Sequence, residues 1–239
     1  MQHALIDADI LIYRIGFATN EEDESTAIRT MAGFLEDLLL FELPEVQTWE
    51  LFLTGKGNYR DNYAVTVPYK GNRKGAEKPK HYKLLREYLE LSWGAQVING
   101  MEADDMLAIR ATERDNTVIV TLDKDLDQVE GWHYNFVKKI KYFVTKDEGL
   151  LNFYCQFLTG DSVDNIKGVH GIGPKKALKL LEGKTEQEMW DVVVEHLGYD
   201  RAVENGHLLY MLRTEKDQFI PPPERLTEML KYESTISEG

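Results

Sequence analysis

Apolar positions switch between strand-like and helix-like spacing over residues 1–145, and become almost wholly helix-like after that. His3-Ala4-Leu5-Ile6-Asp7 is a short apolar run that stops on an acid, and it predicts a buried strand. Ile28, Met31, Leu35, Leu38 and Leu39 recur at helical spacing behind the possible caps Ser25 and Thr26. Gln47–Leu53 reads as a second strand, Lys83–Leu91 as an amphipathic helix, Gln96–Ile98 as a brief strand and Glu102–Thr112 as another helix. Thr117–Leu122 is the most strand-like stretch, and it too runs into an acid, Asp123; Ile140–Thr145 predicts one more strand. Helices are expected over 150–158, 175–181, 186–197 and 202–212, with Pro221-Pro222-Pro223 ending regular structure and a loose polar tail over 233–239.

Strands alternating with helices predict an α/β fold with a mostly parallel central sheet and helices on both faces. The site crevice of such a sheet lies at the strand C-terminal ends, where Asp7 and Asp123 both fall. The expected organisation is a catalytic core over 1–147, including an irregular segment at about 55–80, and a helical region over 148–239. The irregular segment, Gly55–Pro79, is rich in Gly, Lys, Arg, Asn and Tyr, and its length argues for function or mobility.

The net charge of −13 suggests no nucleic-acid partner by itself, but its distribution does. Cations gather at Lys70, Arg73, Lys74, Lys78, Lys80 and Lys83, at Lys138, Lys139 and Lys141, and at Lys167, Lys175, Lys176 and Lys179. No apolar stretch is long enough to span a bilayer, and the N-terminus shows neither a basic n-region nor a cleavage site, so a cytoplasmic protein is expected. Cys155, the only cysteine, excludes an internal disulfide, and its apolar setting predicts burial rather than reactivity.

The acids carry the chemistry. Glu102, Asp104 and Asp105 open a helix, where capping would account for one or two acids but not three within four residues. Asp123 and Asp125 follow a strand, and Asp161 and Asp164 lie in a turn, where carboxylates also bond the backbone. Neither stretch has the ligand spacing of a calcium loop. An oxygen-only donor set without a Cys/His pattern suits Mg²⁺ or Mn²⁺, and two such ions can hydrolyse a phosphodiester. Tyr69-Lys70-Gly71-Asn72-Arg73-Lys74 reads either as a solvated loop or as a phosphate clamp, with Tyr69 stacking on a base; Tyr13 and Arg14 offer similar contacts, though Tyr13 also suits a core. Gly168-Val169-His170-Gly171-Ile172-Gly173-Pro174-Lys175-Lys176 resembles a helix-hairpin-helix element, with Gly171 and Gly173 letting phosphates approach backbone N–H groups. The absence of a preceding strand argues against a dinucleotide fingerprint.

From Asp7 to Ala177 the chain resembles the flap endonuclease-like 5′ nucleases, most specifically at 100–105, 121–125 and 160–173. The resemblance implies a PIN-like core with a helical arch and a C-terminal helix-hairpin-helix region. By it Asp7, Glu102, Asp104 and Asp105 serve a first metal ion, and Asp123, Asp125, Asp161 and Asp164 a second. Lys70 and Arg73 at the arch base would contact the reacting phosphate, and backbone carbonyls near Val169 and Ile172 would hold potassium. The implied substrate is DNA with a free 5′ end or 5′ flap, or an RNA–DNA hybrid, in DNA replication. The small stand-alone phage exonucleases are the closer likeness, which would place the protein in a host cytoplasm. Two departures stand out: Ala8-Asp9 follows Asp7 where many relatives have glycine, and Gly55 stands where most carry another acid. Asp9 compensating for that loss is one expectation. The competing readings are a branched-DNA-binding protein without catalysis and a related metal-dependent ribonuclease. Nothing after Ala202 carries readable chemistry.

Overall fold

The computed structural model describes residues 1–225; the tail over 233–239 lies outside the described residues. The chain forms two compact units, interleaved in sequence. The first comprises Met1–Tyr59, Gly75–Lys146 and Met211–Glu215; the second comprises Arg60–Lys74, Asp147–Tyr210 and, among the described residues, 216–225. Residues 60–74, expected as part of the core, thus pack with the second unit.

The first unit is built on a six-stranded sheet in the order β3-β2-β1-β4-β5-β6. Its strands are β1 (His3–Asp7), β2 (Thr48–Asn58), β3 (Gln96–Gly100), β4 (Thr117–Val120), β5 (Gly131–Asn135) and β6 (Ile140–Val144). All neighbours pair in parallel except β5 and β6. Central β1 is buried along its whole length, as its unbroken apolar run requires. Ala4 and Ile6 share a core with Leu11, Ile12 and Ile15 of α1 (Ala8–Ala18), Met31 and Leu35 of α2 (Glu24–Asp37), and Leu85 and Leu89 of α3 (Tyr82–Trp93). Helix α4 (Ala103–Glu113) packs on β1, β2 and β4.

No α-helix lies between Asn58 and Tyr82, so the expected helical arch is absent from this stretch. Short 3₁₀ turns at Tyr59–Asn62 and Gly71–Arg73 stand there instead, and Pro68, Gly71, Gly75 and Pro79 disfavour a helix over 68–79.

The second unit holds α5 (Lys146–Thr159, whose first residue belongs to the first unit), β7 (Gly160–Asp161), β8 (Ile166–Lys167), α6 (Pro174–Leu181), α7 (Glu186–Leu197) and α8 (Tyr199–Leu209). Trp190, Phe153, Tyr154, Phe157 and Phe219 fill its core. A Cβ on Gly206 would lie 2.2 Å from the Phe219 ring, so glycine lets that ring press on α8. Buried Arg60 donates to the carbonyls of Leu208 at 2.9 Å and Tyr210 at 2.8 Å, closing the end of α8. Helix α8 stops at Leu209, short of the expected Leu212, and the prolines at 221–223 open a helical turn over 222–225 instead of ending structure, since proline suits a first turn.

Candidate active site

In the first unit the acids collect where the parallel strands end. Asp7 closes β1 and caps α1, its Oδ1 accepting from the Ile10 N–H at 3.2 Å and its Oδ2 from the Thr121 hydroxyl at 2.9 Å. Burial, then the nearby charge of Asp9, with a smaller contribution from Asp123, pushes the Asp7 carboxyl up to about 7. Asp9 is also raised, first by burial and in part by Glu102, against hydrogen bonds from Thr54 and the charge of Arg86. Asp123, Asp7, Asp9 and Glu102 therefore form a chain of mutually repelling carboxylates.

Several of the acids also bond the backbone. Asp105, fully buried, accepts from the Glu102 N–H at 3.1 Å in a capping box and from the Leu212 N–H at 3.4 Å. Asp123 caps the 3₁₀ turn Lys124–Gln128, accepting from the Asp125 N–H at 2.8 Å; Asp125 is buried, and Asp104 sits half-buried in the first turn of α4. Capping explains why acids stand at these positions. It does not explain why they crowd, because a cap needs no second carboxylate beside it.

The tip of β2 was missed from sequence. Gly55 has no space for a side chain: a Cβ there would meet the Asn99 Oδ1 at 2.4 Å and the Ile98 carbonyl oxygen at 2.5 Å. The side chain that faces the acids is Thr54, whose hydroxyl accepts from the Ala103 N–H at 3.0 Å. Nothing in the local pattern marked it, since its acid neighbour, Asp9, arrives from a distant segment.

In the second unit, the basic motif and the acidic turn form one clasp. Asp164 accepts from Arg73 at 2.6 Å and from the Tyr69 hydroxyl at 2.8 Å, with the Lys70 ammonium at 3.6 Å. The Lys70 N–H donates to the Asp164 carbonyl at 2.9 Å, Asn72 to the Ser162 carbonyl at 2.7 Å and Asn165 to the Pro68 carbonyl at 2.9 Å. Lys70 and Asn165, facing each other across the clasp, both take left-handed backbone. Buried Asp161 organises the turn, accepting from the Val163 N–H at 2.6 Å. The Tyr69 ring belongs to the second core, with only its hydroxyl turned to Asp164.

The hairpin over 168–173 leads into α6, with exposed Gly171, Gly173, Lys175 and Lys176 at its entrance and buried Ile172 beneath. Val169 donates to the Leu158 carbonyl at 2.7 Å, and its own carbonyl accepts from the Ile172 N–H at 3.1 Å. Lys74 is exposed, as are Tyr13 and Arg14 on α1, Tyr13 resting edge-on against Tyr82 at 5.6 Å. Cys155 is half-buried, and burial raises its thiol pKa, which suits an inert residue.

Among the described residues, no three His, Cys, Asp or Glu side chains stand close enough together to enclose an ion. The donor chemistry nevertheless fits a hard divalent cation. The acids offer oxygen only, and buried carboxylates that repel one another gain most from a bound cation. No helix among the described residues is long and apolar enough to cross a membrane.

Comparison with known proteins identifies a family. The family model for the N-terminal resolvase-like domain of 5′-3′ exonucleases matches residues 2–152. A 5′-3′ exonuclease of Buchnera aphidicola is 28% identical over 199 residues, covering 74% of this chain and 69% of that protein. DNA polymerase I of Pseudomonas aeruginosa is 30% identical over 203 residues, of which the matched region is 22% of the polymerase and 75% of this chain. Among solved structures, the T5 D15 protein co-crystallised with metal ions superposes with a TM-score of 0.64 at 19% identity, covering 89% of each chain. The catalytic core of Rad2 in complex with a DNA substrate does so with a TM-score of 0.57 at 16% identity, over 97% of this chain and 87% of that one. At these identities the structural likeness speaks for the fold.

Proposed function

The chain belongs to the 5′-3′ exonuclease family, a family of nucleases, and from that premise we propose that it is a divalent-metal-dependent 5′ nuclease of DNA. It cuts phosphodiester bonds near a free 5′ end or 5′ flap by a two-metal-ion route. The observation that carries this reading is the crowding of Asp9 and Asp123 on buried Asp7 at the tip of a parallel strand. Metal ions and DNA accompany the T5 D15 and Rad2 structures respectively, which supports both parts of it.

Asp7, Glu102, Asp104 and Asp105 would hold one Mg²⁺ or Mn²⁺, and Asp123 and Asp125 would serve the other. Bound there, such cations activate water and stabilise charge on the leaving oxygen. The protein's own contribution is placement. Lys70 and Arg73 turn from Asp164 to the scissile phosphate, Arg73 with a planar fork suited to its oxygens. Tyr13, Arg14 and Lys74 offer exposed contacts to the strand. The exposed N-terminus of α6, with Lys175 and Lys176, anchors the duplex through its backbone N–H groups as a helix-hairpin-helix element, and potassium on the Val169 and Ile172 carbonyls would reinforce it. An RNA–DNA hybrid is a further substrate in this reading, and the cytoplasm the place of action.

A second reading, DNA binding without cleavage, draws on the neutral tip of β2. Cleavage of a 3′-labelled flap duplex with Mg²⁺, against an EDTA control, separates the two. Metal-dependent shortening from the 5′ side is expected. Binding without any cleavage in Mg²⁺ or Mn²⁺ would sink the nuclease assignment, and faster cleavage of a matched RNA would redirect it to a ribonuclease.

A further inference from the structure

β3 is an edge strand of the sheet, and its ladder with β2 breaks before it ends. Between the Thr54–Ile98 and Asn58–Gly100 pairs, β2 carries Gly55, Lys56 and Gly57 while β3 carries only Asn99. The surplus makes a bulge, with Gly57 in left-handed backbone. The Asn99 side chain plugs it, its Oδ1 accepting from the Lys56 N–H at 2.8 Å in the space that a Cβ on Gly55 would need. With the amide oxygen committed there, the Asn99 NH₂ group is left to donate outward.

Beside the bulge lies an open cleft of about 500 Å³, within the size range of small-molecule sites. Thr54, Lys56, Val97 and Asn99 line it from the two strands, and Tyr82 and Arg86 from α3. Arg86 is already engaged, by Glu90 at 3.1 Å and by the Thr54 carbonyl at 3.0 Å. Lys56 is not: it is exposed, and among the described residues no carboxylate lies within ion-pair distance of its ammonium. The Tyr82 ring carries the Lys78 ammonium 4.1 Å from its centroid, so a second cation stands at the same wall. Thr54 belongs both to the cleft and to the hydrogen bonds around the acids, through Asp9 and the Ala103 N–H, so the cleft opens beside the candidate active site.

A lone surface lysine is ordinarily just solvated. Here it shares one cleft with an aromatic wall and an amide that has donors to spare, which are the groups that hold a nucleotide. A phosphate takes the charge, a base takes the wall, and the base edge takes the amide. We propose that this cleft binds one nucleotide of the unpaired 5′ strand, with its phosphate on Lys56, its base against Tyr82 and Val97, and Asn99 at the base edge. The proposal rests on the 5′ nuclease reading above for the choice of strand.

The test compares two labelled DNAs, a duplex with an unpaired 5′ tail and the same duplex without one. Their binding to wild type, Lys56→Ala, Lys56→Arg and Val97→Glu is followed by fluorescence anisotropy in EDTA, where no cleavage intervenes. Lys56 and Val97 are exposed, so all variants should melt close to wild type. Wild type should prefer the tailed DNA. Lys56→Ala should weaken that DNA about tenfold, leave the tail-less one unchanged, and lower the salt slope of log Kd by about 0.7. Lys56→Arg should restore both, and Val97→Glu, which sets a carboxylate on the wall, should match the loss. Equal losses on both DNAs would make Lys56 a general duplex contact and overturn the cleft. No loss in Lys56→Ala and Val97→Glu would overturn it too, while leaving the nuclease reading intact. Displacement of the tail by an equal concentration of free deoxynucleoside 5′-monophosphate would overturn the assignment to the strand in favour of the released product. Cleavage in Mg²⁺ is scored separately: a wild type that binds the tail and never cuts would keep the cleft and remove the nuclease reading.

Discussion

Arg73 and Asp164, 91 residues apart in the chain, meet at 2.6 Å, and the same guanidinium donates through its Nε to the Val163 carbonyl at 3.1 Å. A cation proposed for a phosphate and an acid proposed for a metal thus hold each other. Because the Arg73 side chain is 46% exposed, the pair stabilises the fold only modestly. Arg73→Ala should therefore cost about 1 kcal/mol of unfolding free energy by urea titration. Single-turnover cleavage should fall roughly tenfold to a hundredfold, as expected when a charge-assisted contact to the phosphate is lost. A stability loss several times larger with unchanged cleavage would make Arg73 a structural residue only.

Asp123→Asn keeps the shape of the cap over the Asp125 N–H, since the amide oxygen still accepts. Folding should be nearly unaffected. Cleavage should drop by roughly 100-fold or more, the consequence of several kcal/mol less charge stabilisation, while DNA binding in a gel-shift assay stays within a few-fold. Wild-type turnover would remove Asp123 from the metal set.

Stability without metal should fall as pH rises from about 4 to about 7. The Asp7 carboxyl titrates near 7 in the fold because of burial and its acidic neighbours, and near ~3.9 in an unfolded chain. Between those values the folded form holds a proton that the unfolded form has released, so folding is favoured at the acid end and that advantage is lost on approaching the folded pKa. Urea melts of wild type and Asp7→Asn in EDTA, compared at several pH values, isolate this contribution. Mg²⁺ should offset the loss near neutrality and release protons on binding, measurable as a buffer-dependent heat. Parallel curves for the two proteins would show that Asp7 is not the group responsible.

Gly206→Ala tests the second core. Within a helix the change alone should stabilise by about 1 kcal/mol. Here the added Cβ would fall 2.2 Å from the Phe219 ring, which must move, and overpacking of this kind costs about 1–3 kcal/mol. A net decrease in melting temperature is expected, and an increase would mean that the ring relocates freely.

Much of the sheet was readable because its strands carry their own signal. β1 and β4 are continuous apolar runs ending near acids, and no other element fits such runs in so short a length. Helix α1 was not read, for Asp7 both ends the strand and caps the helix, leaving no punctuation between them. β5 was hidden by Gly131, His133 and Asn135, whose strand conformation comes from pairing with β4 and β6. In the site, residue types were legible and partnerships were not. Asp164 was visible as an acid and Arg73 as a base, yet nothing local could tell that they close on each other, or that Thr54 rather than Gly55 turns to the carboxylates. Such pairings depend on crossings between distant segments, which periodicity does not encode.

The second unit is assembled from pieces that leave the ribosome at very different times. Arg60 waits for the Leu208 carbonyl, 148 residues later, which at roughly 5–20 residues per second is a delay of about 7 to 30 seconds. Lys70 and Arg73 likewise wait for Asp164. Until the chain extends past the acidic turn, this basic stretch has no Asp164 to pair with. The clasp thus depends on a chain long enough to close it: a product cut short before residue 162 would carry the cations without the acid that restrains them.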